Sequence, residues 1–445
     1  MTSLEPGSAP ERLTTVDVRT RLDLLAELGY GFLESGQTSG QTRRALVGCG
    51  RALGLVGLAV NSFGRLLLLE ATLPDGSTTT LSGAARTLDT IDCDRARALN
   101  HLAADLAAPE AATTGEAERR RLFAARDDVE RMRGTGTPWW ATTLGMTMLA
   151  FFISMQVGIS WRAWVSAALV QVATSLAGLG VGRLRMPRLF AIAVQSSVGG
   201  AFATLLVRVD FVDPVGAAAA IAVTWLLLLP LPQVIGAVTD AIEADFLSCL
   251  SRVGGVAVAG IGIFIGGAFT FWLGEQLSMA HPRLDELPSL PWYLVLVFSG
   301  LGAVANAFAN GGRLPLVVPA AVLGVVTGAS SQLLLRVLDA TTLWASSASA
   351  VVLGVLTVIL ASRTGYPQQV LALMGITGAL LPGIPVFFGI LQQMGGGAGA
   401  EYFGRAATIC VGIGTGVAFG AYLAYLWDRS PLAAVGRAGA GADSP

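Results

Sequence analysis

The chain has 445 residues, of which 53% are hydrophobic and only 13% charged, and its net charge is −1 at neutral pH. Soluble domains carry about 25% charged residues, which rules against an ordinary soluble enzyme. A net charge near zero rules against the concentrated cationic surface that a polyanion such as nucleic acid needs. The charges are unevenly placed: residues 1–137 hold 16 of the 29 basic and 18 of the 30 acidic side chains. A polar N-terminal part therefore precedes a long apolar one. Every basic residue is Arg and none is Lys, which excludes a lysine Schiff base and a phosphate-loop lysine. Cys49, Cys93, Cys249 and Cys410 stand far apart, and the only histidines are His101 and His281. Neither a disulfide framework nor a metal centre is expected, and no cofactor is implied.

Along the polar part, 1–14 reads as a disordered tail and 15–137 as a small α+β domain ending in a charged linker helix. Leu22, Leu25, Leu28 and Phe32 give Leu22–Ser35 helical spacing, and Ser39 is placed to cap a second helix running to Leu53. Val56–Asn61, Arg65–Leu73 and Thr78–Leu81 read as strands, with a tight turn at Asp75-Gly76. Asp92–Ala107 and Glu116–Arg131 return to helix. Pro10-Glu11-Arg12-Leu13-Thr14 offers no apolar signal-peptide core, so the domain is expected to stay in the cytoplasm. His101 has no evident nucleophile, and there is no GxxxxGK[ST] or GxGxxG pattern, so catalysis and ATP hydrolysis are not supported. Gly36–Gly40 reads as a turn between helices.

A bilayer helix needs roughly 20 apolar residues to cross about 30 Å. From Trp139 onward ten such spans are expected, at 139–158, 163–180, 189–207, 214–232, 253–273, 292–311, 315–335, 343–361, 368–392 and 403–427. The alternative is a large soluble helical core, which the low charge disfavours. With the N-terminus inside, the inner loops and tail hold eight arginines and the outer loops five, as the excess of cytoplasmic arginine requires. The C-terminal segment 429–445 reads as a second disordered tail, on the cytoplasmic side.

The polar stretch 276–291 divides the spans into two units of five, 138–275 and 292–428. Pro214, Pro230 and Arg252 punctuate the first at intervals of 16 and 22 residues; Pro367, Pro382 and Arg405 punctuate the second at 15 and 23. An odd number of spans per unit makes the second enter the membrane from the opposite side, an inverted repeat of the kind many secondary transporters use.

Pro230 and Pro232 should break the first unit's fourth helix, and Pro382, Gly383 and Pro385 the second's. Backbone freed in a membrane is tolerated only against protein or a wet cavity, so matched breaks point to a transport site near the midplane. The other reading is that the prolines only end helices at the interface. Asp240 and Glu243 follow the first break on an apolar segment, where a carboxylate needs a partner or a task. They are the candidates for proton coupling; solvated acids in an interfacial loop are the alternative. Among the polar residues within spans, Gln195, Asn306 and Asn310 are the candidates to line a cavity, because small residues surround them. Gly262 with Gly266, and Gly412, Gly416 and Gly420, stand four apart and read as helix-packing stripes.

Leu25-Ala26-Glu27-Leu28-Gly29 and Glu34-Ser35-Gly36-Gln37-Thr38-Ser39 resemble the cytosolic domain of the threonine/serine exporter family. So do Leu229-Pro230, Asp240-Ala241-Ile242, Phe246-Leu247-Ser248 and Ser251-Arg252, while the last five spans look like that family's second module. The resemblance covers about residues 20–427. It implies a bacterial inner-membrane exporter of small amino acids such as threonine and serine, driven by the proton-motive force; in split relatives it implies export of small dicarboxylates. The chain departs from the family in having Pro230-Leu231-Pro232 where a Pro-Gly pair is common.

The expectation is therefore a ten-helix polytopic membrane protein of two inverted five-helix repeats with an N-terminal α+β domain. It would not be an enzyme but would move a small zwitterion or organic acid outward in exchange for protons, with a homo-oligomer left open. A membrane enzyme and a gated channel that uses the N-terminal domain are the competing classes.

Overall fold

The computed structural model describes residues 14–88, 91–108, 116–156, 160–277, 290–394 and 397–428. The expected tails, apart from Thr14, and most of the expected connecting loop 276–291 lie outside these residues.

The N-terminal domain begins with helix α1 (Thr15–Glu34), earlier than the apolar spacing alone indicates. The reason is local: Thr14 and Asp17 form a reciprocal capping box that satisfies two of the first turn's orphan N–H groups. Helix α2 (Ser39–Ala52) is capped in the same way by Thr38 with Gln41, so Ser39 is the first helical residue and not the cap. Strands β1 (Val56–Phe63), β2 (Leu66–Thr72) and β3 (Thr78–Ala84) form an antiparallel meander in that order. Gly64 and Gly76, at φ +61° and +84°, supply the two turns. Helices α3 (Cys93–Ala107) and α4 (Glu116–Gly134) complete the domain.

Leu25, Leu28, Phe32, Leu46, Leu69 and Leu99 are fully buried in its core, each stabilising by roughly 1.5–3 kcal/mol. The charged helix α4 is no free linker. Leu122, Ala125 and Val129 join that core. Arg133 pairs with Glu27 and Glu34, and Arg21 pairs with Glu118 at 2.5 Å.

The apolar part contains α5 (Trp139–Gln156), α6 (Trp161–Arg183), α7 (Arg188–Arg208), α8 (Pro214–Leu228), α9 (Leu231–Ile242) and α10 (Phe246–Gln276). It continues with α11 (Trp292–Ala309), α12 (Leu314–Val337), α13 (Thr342–Thr364), α14 (Gln368–Ala379), α15 (Gly383–Met394) and α16 (Ala400–Asp428). Seven helices are long and apolar enough to cross a membrane among the described residues. Two bent pairs, α8 with α9 at 50° and α14 with α15 at 54°, bring the number to nine when each counts as one span. Of the ten expected spans, the first corresponds to α5, whose threonines, tryptophans and terminal glutamine leave it short of that criterion.

Packing repeats between the two sets. In the first, α6 packs on α5, α7 and α8, and α7 on α10; in the second, α12 packs on α11, α13 and α14, and α13 on α16. Gly262 and Gly266 of α10 admit Ile192 and Ser196 of α7, and Gly412 and Gly420 of α16 admit Ser347 and Val351 of α13. Residue numbers rise together in both pairs, so each pair is parallel. Helices α5 and α11 instead run antiparallel: Gly145 meets Ala309, and Gln156 lies near Gly302.

Helices α8 and α14 sit at the centre. Every residue from Gly216 to Leu226 and from Gln369 to Gly378 is buried. This explains their apolar character all round, since neither has a solvent face to mark. The second halves of the bent pairs then cross over. Leu231 and Ile235 of α9 join the core formed by α11 to α14 and α16, while Val386, Phe387 and Ile390 of α15 join the core of α6, α7 and α8. Leu381, at the second bend, touches three of the core clusters.

Candidate functional site

The two bends share one local geometry. Pro230 lacks an N–H and drives Leu229 into an extended conformation, ending α8. Leu231 N–H then donates to Leu229 O at 2.8 Å, closing a three-residue turn centred on Pro230 at φ −77°, ψ 78°. Gly383 N–H donates to Leu381 O at 2.8 Å across Pro382 in the same way. Pro230-Leu231-Pro232 and Pro382-Gly383-Ile384-Pro385 thus make equivalent turns, and the missing Pro-Gly pair does not alter the first.

A carbonyl beside each bend is met from the opposite five-helix set. Gln369 Nε2 donates to Pro232 O at 3.2 Å, and Gln156 Nε2 to Gly378 O at 2.9 Å. Asn306 Nδ2 reaches Leu373 O and Thr377 Oγ1 in the last turns of α14, and Asn310 Nδ2 donates to Asn306 Oδ1 at 2.8 Å. Asn306 therefore lies beside the second bend and holds the α14 backbone, and Asn310 holds Asn306. Gln195 is not brought there: it donates to Ala191 O on its own helix and lies against Gly178 of α6.

Asp240 and Glu243 are drawn instead to the N-terminal domain. Asp240 is fully buried, with Oδ2 at 2.8 Å from Arg252 Nε and Oδ1 accepting from Ser39 N–H at 3.3 Å. Arg252, 2% exposed, also donates through Nη2 to Gln37 O at 3.1 Å. Glu243 pairs with Arg44 at 3.0 Å, and Gly40 lies against its carboxylate. The buried turn Ser35–Ser39 between α1 and α2 is thus a plug seated at the α9–α10 junction. Asp240 faces the N-terminus of α2, where exposed N–H groups and the helix dipole favour an anion. Beside it, Gly64 N–H donates to Ser248 Oγ, which donates to Ser62 O, fixing the first hairpin against α10. Asp245 caps α10 through Ser248 N–H.

A second set of contacts ties the domain to the other helices. Cys93 N–H donates to Asn310 O at 2.8 Å, and Arg313 pairs with Asp94 at 3.0 Å. Beyond these, Arg97 stacks over Tyr366 at 5.1 Å. Two cavities open along this seam. One, of about 660 Å³, has Asp92, Arg95, Trp140, Leu144 and Phe308 in its walls; the other, of about 550 Å³, lies between α2, α3 and the ends of α13, α14 and α16. No group of three potential metal ligands occurs among the described residues.

Arg252, the Ser35–Ser39 plug, Gln156 and Gln369 were not among the expected site residues. The available signal for Arg252 was an arginine buried in an apolar run shortly after two carboxylates; the plug's signal was only a polar turn.

A bundle of long apolar helices, two of them broken at matched prolines and clasped at one end by a small α+β domain, defines a polytopic membrane transport protein. Residues 23–274 and 275–424 match the model of the family described as "Putative threonine/serine exporter", and the chain belongs to that family. It is 25% identical over 428 residues to a "Probable threonine/serine exporter" of Mycobacterium tuberculosis (strain ATCC 25618 / H37Rv), covering 92% of this chain and 77% of the relative. No solved structure matches the chain.

Proposed function

We propose that the protein exports small amino acids of the threonine and serine kind across the bacterial inner membrane, coupled to protons. It does so with ten spans arranged as two inverted five-helix repeats. The observation that carries this reading is the crossing of the broken helices: α9 enters the core of the second unit and α15 that of the first. Each proline-centred turn thereby leads its helix into the other unit, an arrangement suited to alternating access at the repeat interface.

The inversion is supported by direction. Helix α5 starts and α11 ends beside the domain, at Thr137 and Asn310; α10 starts there, at Ser248, while the last turn of α16, at Tyr425, borders the same seam. With the domain on the cytoplasmic side, α5 counts as the first span and the C-terminus is cytoplasmic. Pro230, Pro232, Pro382, Gly383 and Pro385 shape the binding region, and Asn306 and Asn310 hold its far wall. Asp240 and Glu243 are the ionisable partners. Asp240 is held by Arg252 and the Ser39 N–H, so a proton arriving there displaces the arginine and loosens the plug.

The test is efflux of radiolabelled threonine and serine from proteoliposomes with an imposed pH gradient. Uphill movement abolished by a protonophore is expected, and Asp240→Asn should leave downhill exchange but remove the response to the gradient. Gradient-driven flux unchanged in that variant rejects Asp240, and absence of any uphill movement rejects the transporter.

A further inference from the structure

We propose that the 550 Å³ cavity between the N-terminal domain and the second five-helix set binds a compact multivalent anion from the cytosolic solution, and that the bound anion ties the domain to α13 and α14. This does not depend on which substrate crosses the membrane.

Three independent observations converge on the cavity. Its lining includes Arg44, Arg97, Arg363 and His101, and none of the described lining residues is acidic. Arg44 is shared with Glu243, and Arg97 and Arg363 have no carboxylate partner among the described residues. Secondly, α14 opens onto it: Pro367 and Gln368 are in the wall, and the N-terminus of α14 has no side-chain cap. Its first-turn N–H groups and the positive end of its dipole are therefore available to an anion. Thirdly, a buried polar atom in the wall is unused. Arg97 Nε has no hydrogen-bond partner among the described residues, and the hydroxyl of Tyr366, a residue only 1% exposed, is faced by the Arg97 guanidinium alone. Guanidinium forks suit carboxylate and phosphate oxygens, and several converging on one space suit more than one charge. The lining carboxylate that an ammonium group would need is missing, so a zwitterion is not the preferred ligand.

The position explains what binding would do. On the first-set side the domain is held by the Asp240, Arg252, Glu243 and Ser248 contacts. Between the domain and the α13–α14 turn, the hydrogen bond from Asn100 Nδ2 to Gly365 O is a long 3.5 Å. An anion bridging Arg97 of the domain and Arg363 of α13 closes that weaker seam. It also competes with Glu243 for Arg44.

The test is calorimetric titration of the full chain in phosphatidylcholine nanodiscs with succinate, inorganic phosphate and, as a monoanion, acetate. No gradient or flux is involved, so the result is independent of the transport reading. Saturable binding of succinate or phosphate is expected, weakened about tenfold or more by Arg363→Gln, as for loss of one charged hydrogen-bonding group. Arg363 is exposed and unbonded among the described residues, so this variant should fold. Arg97→Gln should weaken binding further, and Arg51→Gln, exposed at the end of α2, should not change it. Four outcomes overturn the proposal: no saturable binding, equal binding by Arg363→Gln, acetate binding as tightly as the dianions, or an equal loss in Arg51→Gln. Displacement by phosphatidylglycerol but not by free phosphate would assign the cavity to a lipid headgroup and overturn it as well.

Discussion

Replacing Arg252 with glutamine leaves the Asp240 carboxylate buried without its cation and the Gln37 carbonyl without its donor. Both partners are essentially inaccessible, at 2% and 0% side-chain exposure, so water cannot substitute. Removing one member of such a pair costs about 3–5 kcal/mol. Much of that loss is recovered when the plug lifts and solvent reaches Asp240, so the cost appears as easier undocking of the Ser35–Ser39 turn. At 1.4 kcal/mol per decade, the undocked population rises about 10²- to 10³-fold. The assay is maleimide labelling of Ser35→Cys, a fully buried position, in a chain whose four native cysteines are replaced. When closing is fast, labelling follows the open population. Combining Asp240→Asn with Arg252→Gln should label more slowly than the product of the single effects, because neither charge is then stranded. A labelling rate for Arg252→Gln within threefold of its parent would refute the reasoning, and so would strict additivity in the double variant.

Three further outcomes are expected. Burial alone would raise the pKa of Glu34, but hydrogen bonds from Arg133 and the Arg86 N–H outweigh it and hold the carboxyl below the ordinary range. Its stabilising contribution is thus complete above the ordinary carboxylate value of about 4.3 and lost as pH falls through the lower folded value. Thermal unfolding between pH 3 and 6 should show Glu34→Gln with a flatter acid slope, and an identical slope would count against the linkage. Gln156→Leu strands the Gly378 carbonyl in the last turn of α14 and should cost about 1–3 kcal/mol in detergent melts. Gln369→Leu only removes a bond to Pro232 O in the first turn of α9 and should cost about 0.5–1.5 kcal/mol. Gln195→Leu, whose bond closes on its own helix, should cost less than either. Finally, a methyl group on Gly420 would strike the Val351 carbonyl, backbone that cannot yield, whereas one on Gly404 meets nothing within 4 Å. Gly420→Ala should lower the melting temperature, and Gly404→Ala should leave it unchanged or raise it by the helical advantage of alanine.

Much of the fold is legible in the sequence because it rests on local chemistry. Apolar length marks the long helices, Asp75-Gly76 marks the hairpin, and the four-residue glycine spacing on α10 and α16 does pack against α7 and α13. The bends follow from proline's missing donor at Pro230 and Pro382, whatever surrounds them. What the sequence conceals is contact at long range. Ser39 meets Asp240 across 201 residues, and Gln37 meets Arg252 across 215. No periodicity encodes such a meeting, so Asp240 reads as an ion-coupling group or a solvated acid and not as the partner of a plug. Helix α4 misleads for a related reason: its arginines look solvated in sequence, yet Arg133 is spent on two acids of α1.

These long-range contacts connect the domain to both broken helices by short bonded paths. On one side the plug grips Asp240, within the helix that follows the first bend. On the other, Cys93 holds Asn310, which holds Asn306, which holds the last turns of α14 before the second bend. Each bend is also braced by a glutamine of the opposite set. Any motion of one five-helix set against the other must therefore stretch the Gln369–Pro232 and Gln156–Gly378 bonds and shift Asp240 relative to Asn310. A rigid domain cannot follow both displacements at once, so it must release one anchor. The Asp240 anchor is a buried ion pair with several supporting bonds, and the Asn310 anchor combines the Cys93 bond with the Asp94–Arg313 pair. The α13–α14 turn, held by one long hydrogen bond and a stacked arginine, is the weakest of these contacts and is the one expected to part first if the sets move.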